Sequence, residues 1–309
     1  MANLRQGEYM KDFYVPVLMI IPEKNTVDEK EGSFGLILRK WDVSIFDLAT
    51  LATNHRLHIS YELIGIFLKQ CNMEFVISAS SVEELQSKAK ILKAALYING
   101  LSPFIYPYAS SHSLNEYAGI NSRDSELLRD KLPEGLRDGL TSKDVTVEVW
   151  PFELTLQTIL GGNQSISNSL FSKAANNAET WEIMIKQFPV LSTVQNALVT
   201  APMIQDLGQS LLHIWTAIES VFPKVNQEVS FRLALYLSQL SKHEKERYEY
   251  FNFIKKAYGI RSKVAHGGTP KITIDDWMNA WNLLLDLCLS ILHRGRLPEE
   301  DDLLKEMLS

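Results

Sequence analysis

Hydrophobic positions along the chain recur with two different periods, and the change from one to the other divides it. Near the start, "FYVPVLMII" and "SFGLILRKW" are rich in β-branched and aromatic residues and read as strands, separated by the charged turn "PEKNTVDEKEG". "EFVISA" is a further strand. Directly after it, Val82, Leu85, Ala89, Leu92 and Leu96 recur at helical intervals behind Ser81 and Glu84, which stand at capping-box spacing. "DVTVEVWPFEL" alternates as a last strand. Residues 1–160 therefore read as one α+β domain.

The periodicity breaks at "LGGNQSISNS", residues 160–169, and the chain beyond this break reads as helix. A helix from about Ser169 to Gln187 leads to Pro189, within a helical connector over 161–200. In the remaining domain, 201–309, "IQDLGQSLLHIWTAIESVF" carries a stripe of Leu211, Trp215, Ile218 and Phe222 and stops at Pro223. Then come "EVSFRLALYLSQL", "EKERYEYFNFIKKAYGIRSKVAH" and "TIDDWMNAWNLLLDLCLSILHRG". The last opens on a Thr273 and Asp276 cap pair, buries Trp277, Trp281, Leu284 and Cys288, and closes at Gly295. Short connections between such helices predict an antiparallel bundle.

Composition narrows the function. The chain has 309 residues, 46% of them hydrophobic and 22% charged, which is ordinary for a folded globular protein. "YVPVLMII" is too short to span a bilayer and has neither a basic leader nor a small-residue cleavage site, so neither secretion nor membrane insertion is expected. Cys71 and Cys288, one in each half, suggest neither a disulfide scaffold nor a zinc site, and a reducing cytoplasm fits them. A formal charge of -6 argues against non-specific coating of nucleic acid. Over residues 242–263, however, seven basic side chains stand against three acidic ones, a local balance of +4.

That basic stretch ends in "KKAYGIRSKVAHGG", where Arg261 and His266 lie five apart. Arg offers a planar fork of donors to phosphate, and His takes and gives a proton near neutral pH. Together they suffice for metal-free RNA cleavage, in which imidazole assists attack by the ribose 2'-hydroxyl or protonates the leaving 5'-oxygen while guanidinium stabilises the phosphoryl charge. Spacing alone does not separate this reading from an ordinary helix ending, with an imidazole near the C-terminal dipole and a glycine at the left-handed cap. On a regular helix the two positions are separated by roughly 140° and about 7.5 Å of rise. Either the Arg side chain curls toward the His, or two copies of the motif meet across a symmetric dimer.

"LLHIWTAIESVF", "EVSFRLALYLSQL" and "IKKAYGIRSKVAHGG", in that order, resemble the HEPN superfamily and its Apea-like branch over about residues 205–295. The positions that carry the resemblance are Trp215, Glu219, Tyr258, Arg261, Ser262, His266 and Gly267. It implies that the α+β N-terminal domain read from the pattern is followed by an all-α HEPN-type helical bundle. It also implies a homodimer that brings two Arg/His motifs together, and a metal-independent endoribonuclease acting on RNA in anti-phage defence or as a toxin, with no cofactor. Arg261 and His266 carry over as the catalytic pair. Ser262 stands where active members often have Asn, Asp or His, and Gly268 stands where one regulated subgroup has a modified Tyr, so that mode of control is not expected. Glu219 either orients the Arg or His or forms an ion pair across the bundle. Trp215 and Tyr258 fit core packing better than base stacking. Lys255, Lys256 and Lys263 either line an RNA groove or form a solvated face.

His55 and His58 have H-x-x-H spacing but no companion ligand motif, and no serine-hydrolase elbow, phosphate loop or H-E-x-x-H is present. The first domain is left with three possible roles: sensing a trigger, restraining the nuclease or selecting RNA. A non-catalytic HEPN dimerisation or scaffold module is the competing expectation.

Overall fold

The computed structural model describes residues 10–56, 61–150, 162–241, 247–267 and 271–308. It is mixed α/β, an N-terminal sheet followed by helices, and forms two compact units. The first comprises Met1–Ala89, Phe104–Phe152 and Gln164–Ser172; the second comprises Lys90–Pro103, Glu153–Asn163 and Lys173–Ser309.

In the first unit the strands are β1 (Lys11–Pro16), β2 (Ile21–Pro22), β3 (Glu29–Glu31), β4 (Phe34–Leu38), β5 (Met73–Ala79), β6 (Tyr108–Ser110), β7 (Val147–Val149) and β8 (Ser165–Ile166). Six of them form one sheet in the order β3-β4-β5-β1-β6-β7 with antiparallel pairings, while β2 and β8 make a small parallel pair. β5 lies inside the sheet and is apolar at almost every position, as a strand covered on both faces must be. The charged stretch expected to be only a turn contains β3, which pairs Glu29 with Leu36 and Glu31 with Phe34. Its charged side chains are tolerated because β3 is an edge, and Gly32, at φ 54°, turns the chain.

Between β4 and β5 run α1 (Ile45–Asn54) and α2 (Tyr61–Gln70), to which the periodicity assigned nothing. "LIGIFL" is apolar on every side of a helix, so no single face stands out. Ser44 caps α1 by accepting the Phe46 amide at 3.0 Å. α3 (Val82–Ile98) follows β5. Ser81 accepts the Glu84 amide at 3.2 Å, but the Glu84 carboxylate returns to the Ser80 amide, at 2.7 Å, rather than to that of Ser81. Three short helices, α4 (Ile120–Asp124), α5 (Glu126–Arg129) and α6 (Glu134–Arg137), lead to β7.

The long helices are α7 (Asn168–Gln187), α8 (Val190–Thr200), α9 (Leu207–Ser220), α10 (Val229–Leu240), α11 (Arg247–Ala265), α12 (Ile274–Arg294) and α13 (Glu300–Leu308). α9 packs on α8, α11 and α12, and α10 on α11, α12 and α13, which makes this unit a helical bundle. Pro189 does not end helical structure: it is the N-cap of α8, a position where the missing amide hydrogen costs nothing. α12 begins with a complete capping box between Thr273 and Asp276 and ends at Gly295 in the left-handed conformation. Trp181, Trp215 and Trp277 are fully buried.

Candidate active site

Residues four apart on a helix share a face, so α9 presents Trp215 and Glu219 together. α11, which packs on it, brings Tyr258 and Arg261, three apart, to the same place. The Arg261 guanidinium donates from Nη2 to Glu219 Oε2 at 2.9 Å, and its carbon lies 5.4 Å from the Tyr258 ring centre. The Tyr258 ring in turn meets the Trp215 indole edge-on, with centroids 5.2 Å apart. Arg261 is thus oriented by a charge on one helix and an aromatic face on its own. The side chains of Arg261 and Glu219 are 21% and 27% exposed, so the pair is shielded yet reachable.

Three polar atoms of this cluster, Arg261 Nε, Glu219 Oε1 and Trp215 Nε1, are buried without a hydrogen-bond partner. Burial, and then the negative charge of Glu219, raises the Tyr258 phenol above its ordinary pKa, with Arg261 opposing. Tyr258 therefore stays neutral at physiological pH.

His266 lies one residue beyond α11 and is exposed. Its amide donates to the Ser262 carbonyl at 3.1 Å, the Gly267 amide donates to Val264 at 3.1 Å, and Gly267 takes φ 74°, a left-handed helix ending. No hydrogen bond joins the His266 side chain to Arg261 or to any other described residue. A single chain therefore joins Arg261, Glu219, Tyr258 and Trp215 by these contacts, without a hydrogen bond from any of them to the His266 side chain. Ser262 is half-buried and contributes its carbonyl to the helix end. Lys255, Lys256 and Lys263 are exposed on α11, with Lys255 Nζ 5.5 Å from the Phe251 ring centre. Lys263 stands two turns beyond Lys256, on the same side of the helix. Gly268 lies outside the described residues.

Elsewhere, His55 Nε2 is 3.2 Å from the Ser142 carbonyl and has a structural partner, while His58 lies outside the described residues. Among the described residues no group of three or more His, Cys, Asp or Glu could hold a metal ion. Cys71 and Cys288 are buried free thiols; burial pushes Cys71 up to about 12 and Cys288 higher still, so neither is a ready nucleophile. No described helix is long and apolar enough to cross a membrane.

No family model, curated protein or solved structure matches the chain. The contacts that sequence reasoning did not supply are the Arg261–Tyr258 stack and the Tyr258–Trp215 edge. The three-residue step from Tyr258 to Arg261 was the signal available for the first; nothing along the chain signals the second.

Proposed function

We propose that the chain is a metal-independent endoribonuclease of the HEPN type, in the Apea-like branch that residues 205–295 resemble, with Arg261 and His266 as the catalytic pair. The observation that carries this reading is the Arg261 guanidinium, held through Nη2 by Glu219 and flanked by Tyr258, one turn before an exposed His266. Glu219 acts as a positioning residue, and Nη1, which bonds no described residue, is left to meet a phosphoryl oxygen. The 2'-oxygen attacks phosphorus as its proton passes to an imidazole. The bond from phosphorus to the 5'-oxygen breaks, and an imidazolium protonates that oxygen. The products are a 2',3'-cyclic phosphate and a 5'-hydroxyl, and DNA, lacking the 2'-hydroxyl, is spared.

Five helical positions separate the two side chains along one copy by about 7.5 Å, so a homodimer through the helical unit is the arrangement that pairs Arg261 of each copy with a His266. Lys255, Lys256 and Lys263 supply local positive charge for the RNA backbone despite the overall charge of -6. The setting we infer is the cytoplasm, in anti-phage defence or as a toxin effector, with the sheet-containing unit sensing a trigger, restraining the nuclease or selecting RNA.

One observation favours a second reading, a non-catalytic HEPN dimerisation scaffold: Arg261 already has a carboxylate partner, and no hydrogen bond joins it to the His266 side chain. Purified protein with end-labelled RNA in EDTA separates the two. A nuclease cuts and leaves cyclic phosphate ends, and His266→Ala and Arg261→Ala each lower the rate by about 100-fold or more with folding and oligomeric state unchanged. Equal, residual cutting by wild type and both variants sinks the nuclease reading and leaves the scaffold.

A further inference from the structure

In the sheet-containing unit, the sheet side, through Leu18, Ile105 and Val147, stands apart from α1 and α2, through Leu51, Ile64 and Phe67, around a cavity of about 290 Å³. Leu18, Leu51 and Ile64 belong to one buried hydrophobic cluster and Phe67, Ile105 and Val147 pack against it half-buried, so the space borders a core. Among the described residues lining it none is charged, and Gln70 is the single amide. Tyr117 also lines it but spends its hydroxyl on Ser110 Oγ at 2.5 Å, and Tyr108 lines it as well, with a hydroxyl buried from solvent.

We propose that this cavity is a binding site for a small, uncharged, apolar molecule. The space opens to solvent at one side, so an apolar molecule that fills it takes apolar lining out of water, which is favourable. Water is a poor filler, because a buried water needs two to four polar partners and this lining offers few. Ions are excluded by the cost of desolvating a charge with no counter-charge. Apolar cavities of about 150 Å³ take a benzene ring, so one about twice that size takes two fused rings or a chain of about ten carbons. Entry is marked by Leu63, Ile66 and Val149, which line the cavity yet are 54%, 51% and 47% exposed. Exposed apolar side chains gathered at the mouth of an apolar space form a route for such a ligand. The inference does not depend on the nuclease reading, since every residue it uses lies in the other unit.

The test is a fluorescence titration of the full chain with the two-ring probe 1-naphthylamine, uncharged at neutral pH, followed by displacement with naphthalene, 1-decanol and decanoate. Saturable uptake is expected, displaced by naphthalene if the site prefers rings or by decanol if it prefers chains, and by decanoate only weakly. Ala52→Phe places a ring in the space from α1 and should weaken the probe by about tenfold or more. Ile66→Glu sets a charge at the mouth, at a half-exposed position that leaves folding intact, and should weaken it as well. The proposal fails if wild type takes up no probe, if decanoate displaces as well as decanol, or if Ile66→Glu and any folded Ala52→Phe protein bind as wild type does.

Discussion

In the helical unit Trp277 and Trp281 stack with centroids 5.2 Å apart, Tyr97 meets Trp281 edge-on at 5.7 Å, and the Trp277 indole donates to Ser210 Oγ at 2.7 Å. The corresponding cluster beside α1 and α2 in the other unit is built mainly from Leu, Ile, Val and Ala and borders an apolar pocket of about 290 Å³. Wide rings span the gaps between helices, whereas short aliphatic chains on separate layers do not meet. The two units also treat a carboxylate differently. Glu74, on β5 and 2% exposed, has no cation beside it among the described residues and accepts the Leu114 amide at 2.9 Å and the Ser113 hydroxyl. Glu219 is partly exposed and paired with Arg261. The first carboxylate ties a loop to a strand; the second holds a cation at a partly exposed position. Position relative to solvent, more than residue type, separates the acid held by neutral donors from the one paired with a cation.

Substitutions can break this comparison. Trp277→Ala should cost the helical core about 3–5 kcal/mol, read by urea or thermal unfolding, because neither Trp281 nor Ser210 can close the gap. A loss under about 1 kcal/mol would mean that this core is as loosely filled as the other.

Next in size is the pH dependence set by Glu74. Burial is the main cause that pushes its carboxyl up to about 7, against the hydrogen bonds from Ser113 and Leu114. A folded pKa above the unfolded one means that the folded state holds the proton more tightly. Its contribution is therefore fully present below about pH 4.5 and is lost as pH rises toward about 7, amounting to roughly 3 kcal/mol. Glu74→Gln, which cannot ionise, should flatten the stability profile across that window. An unchanged slope would show that other groups set it.

The smallest expected change is at the exposed end of the comparison. Glu219→Gln should lower stability by about 1 kcal/mol, since the pair is partly solvated, while leaving the Arg261 guanidinium less firmly oriented. RNA cleavage should then fall more than stability does. Equal activity of the Gln variant would reduce Glu219 to a bundle ion pair.

Much of the fold was legible along the chain. β5 is a short apolar run, α3 and α12 have periodic stripes with caps in front, and Gly295 ends the last of these. α1 and α2 are hidden because apolar residues surround them. α8 falls within the stretch read as a helical connector, but its start at Pro189 is not marked as one, and α13 is hidden because its acidic first turn reads as charge before it reads as a helix start favoured by the dipole. At the candidate site, Arg261 and His266 are visible by type and spacing. That the two stand on different sides of the helix follows from helix geometry, but the choice of Glu219 as the partner of Arg261 does not.

By itself the sequence determined the features whose causes lie within a few residues of each other: strand and helix period, caps and glycine endings, the basic stretch before His266, and the pair of residue types able to cleave RNA. Only the tertiary structure decided which face of α9 meets α11, how a guanidinium 42 residues from its carboxylate is held, and where side chains from a sheet and two helices fail to fill the space between them. Those outcomes depend on packing between segments distant along the chain, and no local pattern records the volume left over when they meet.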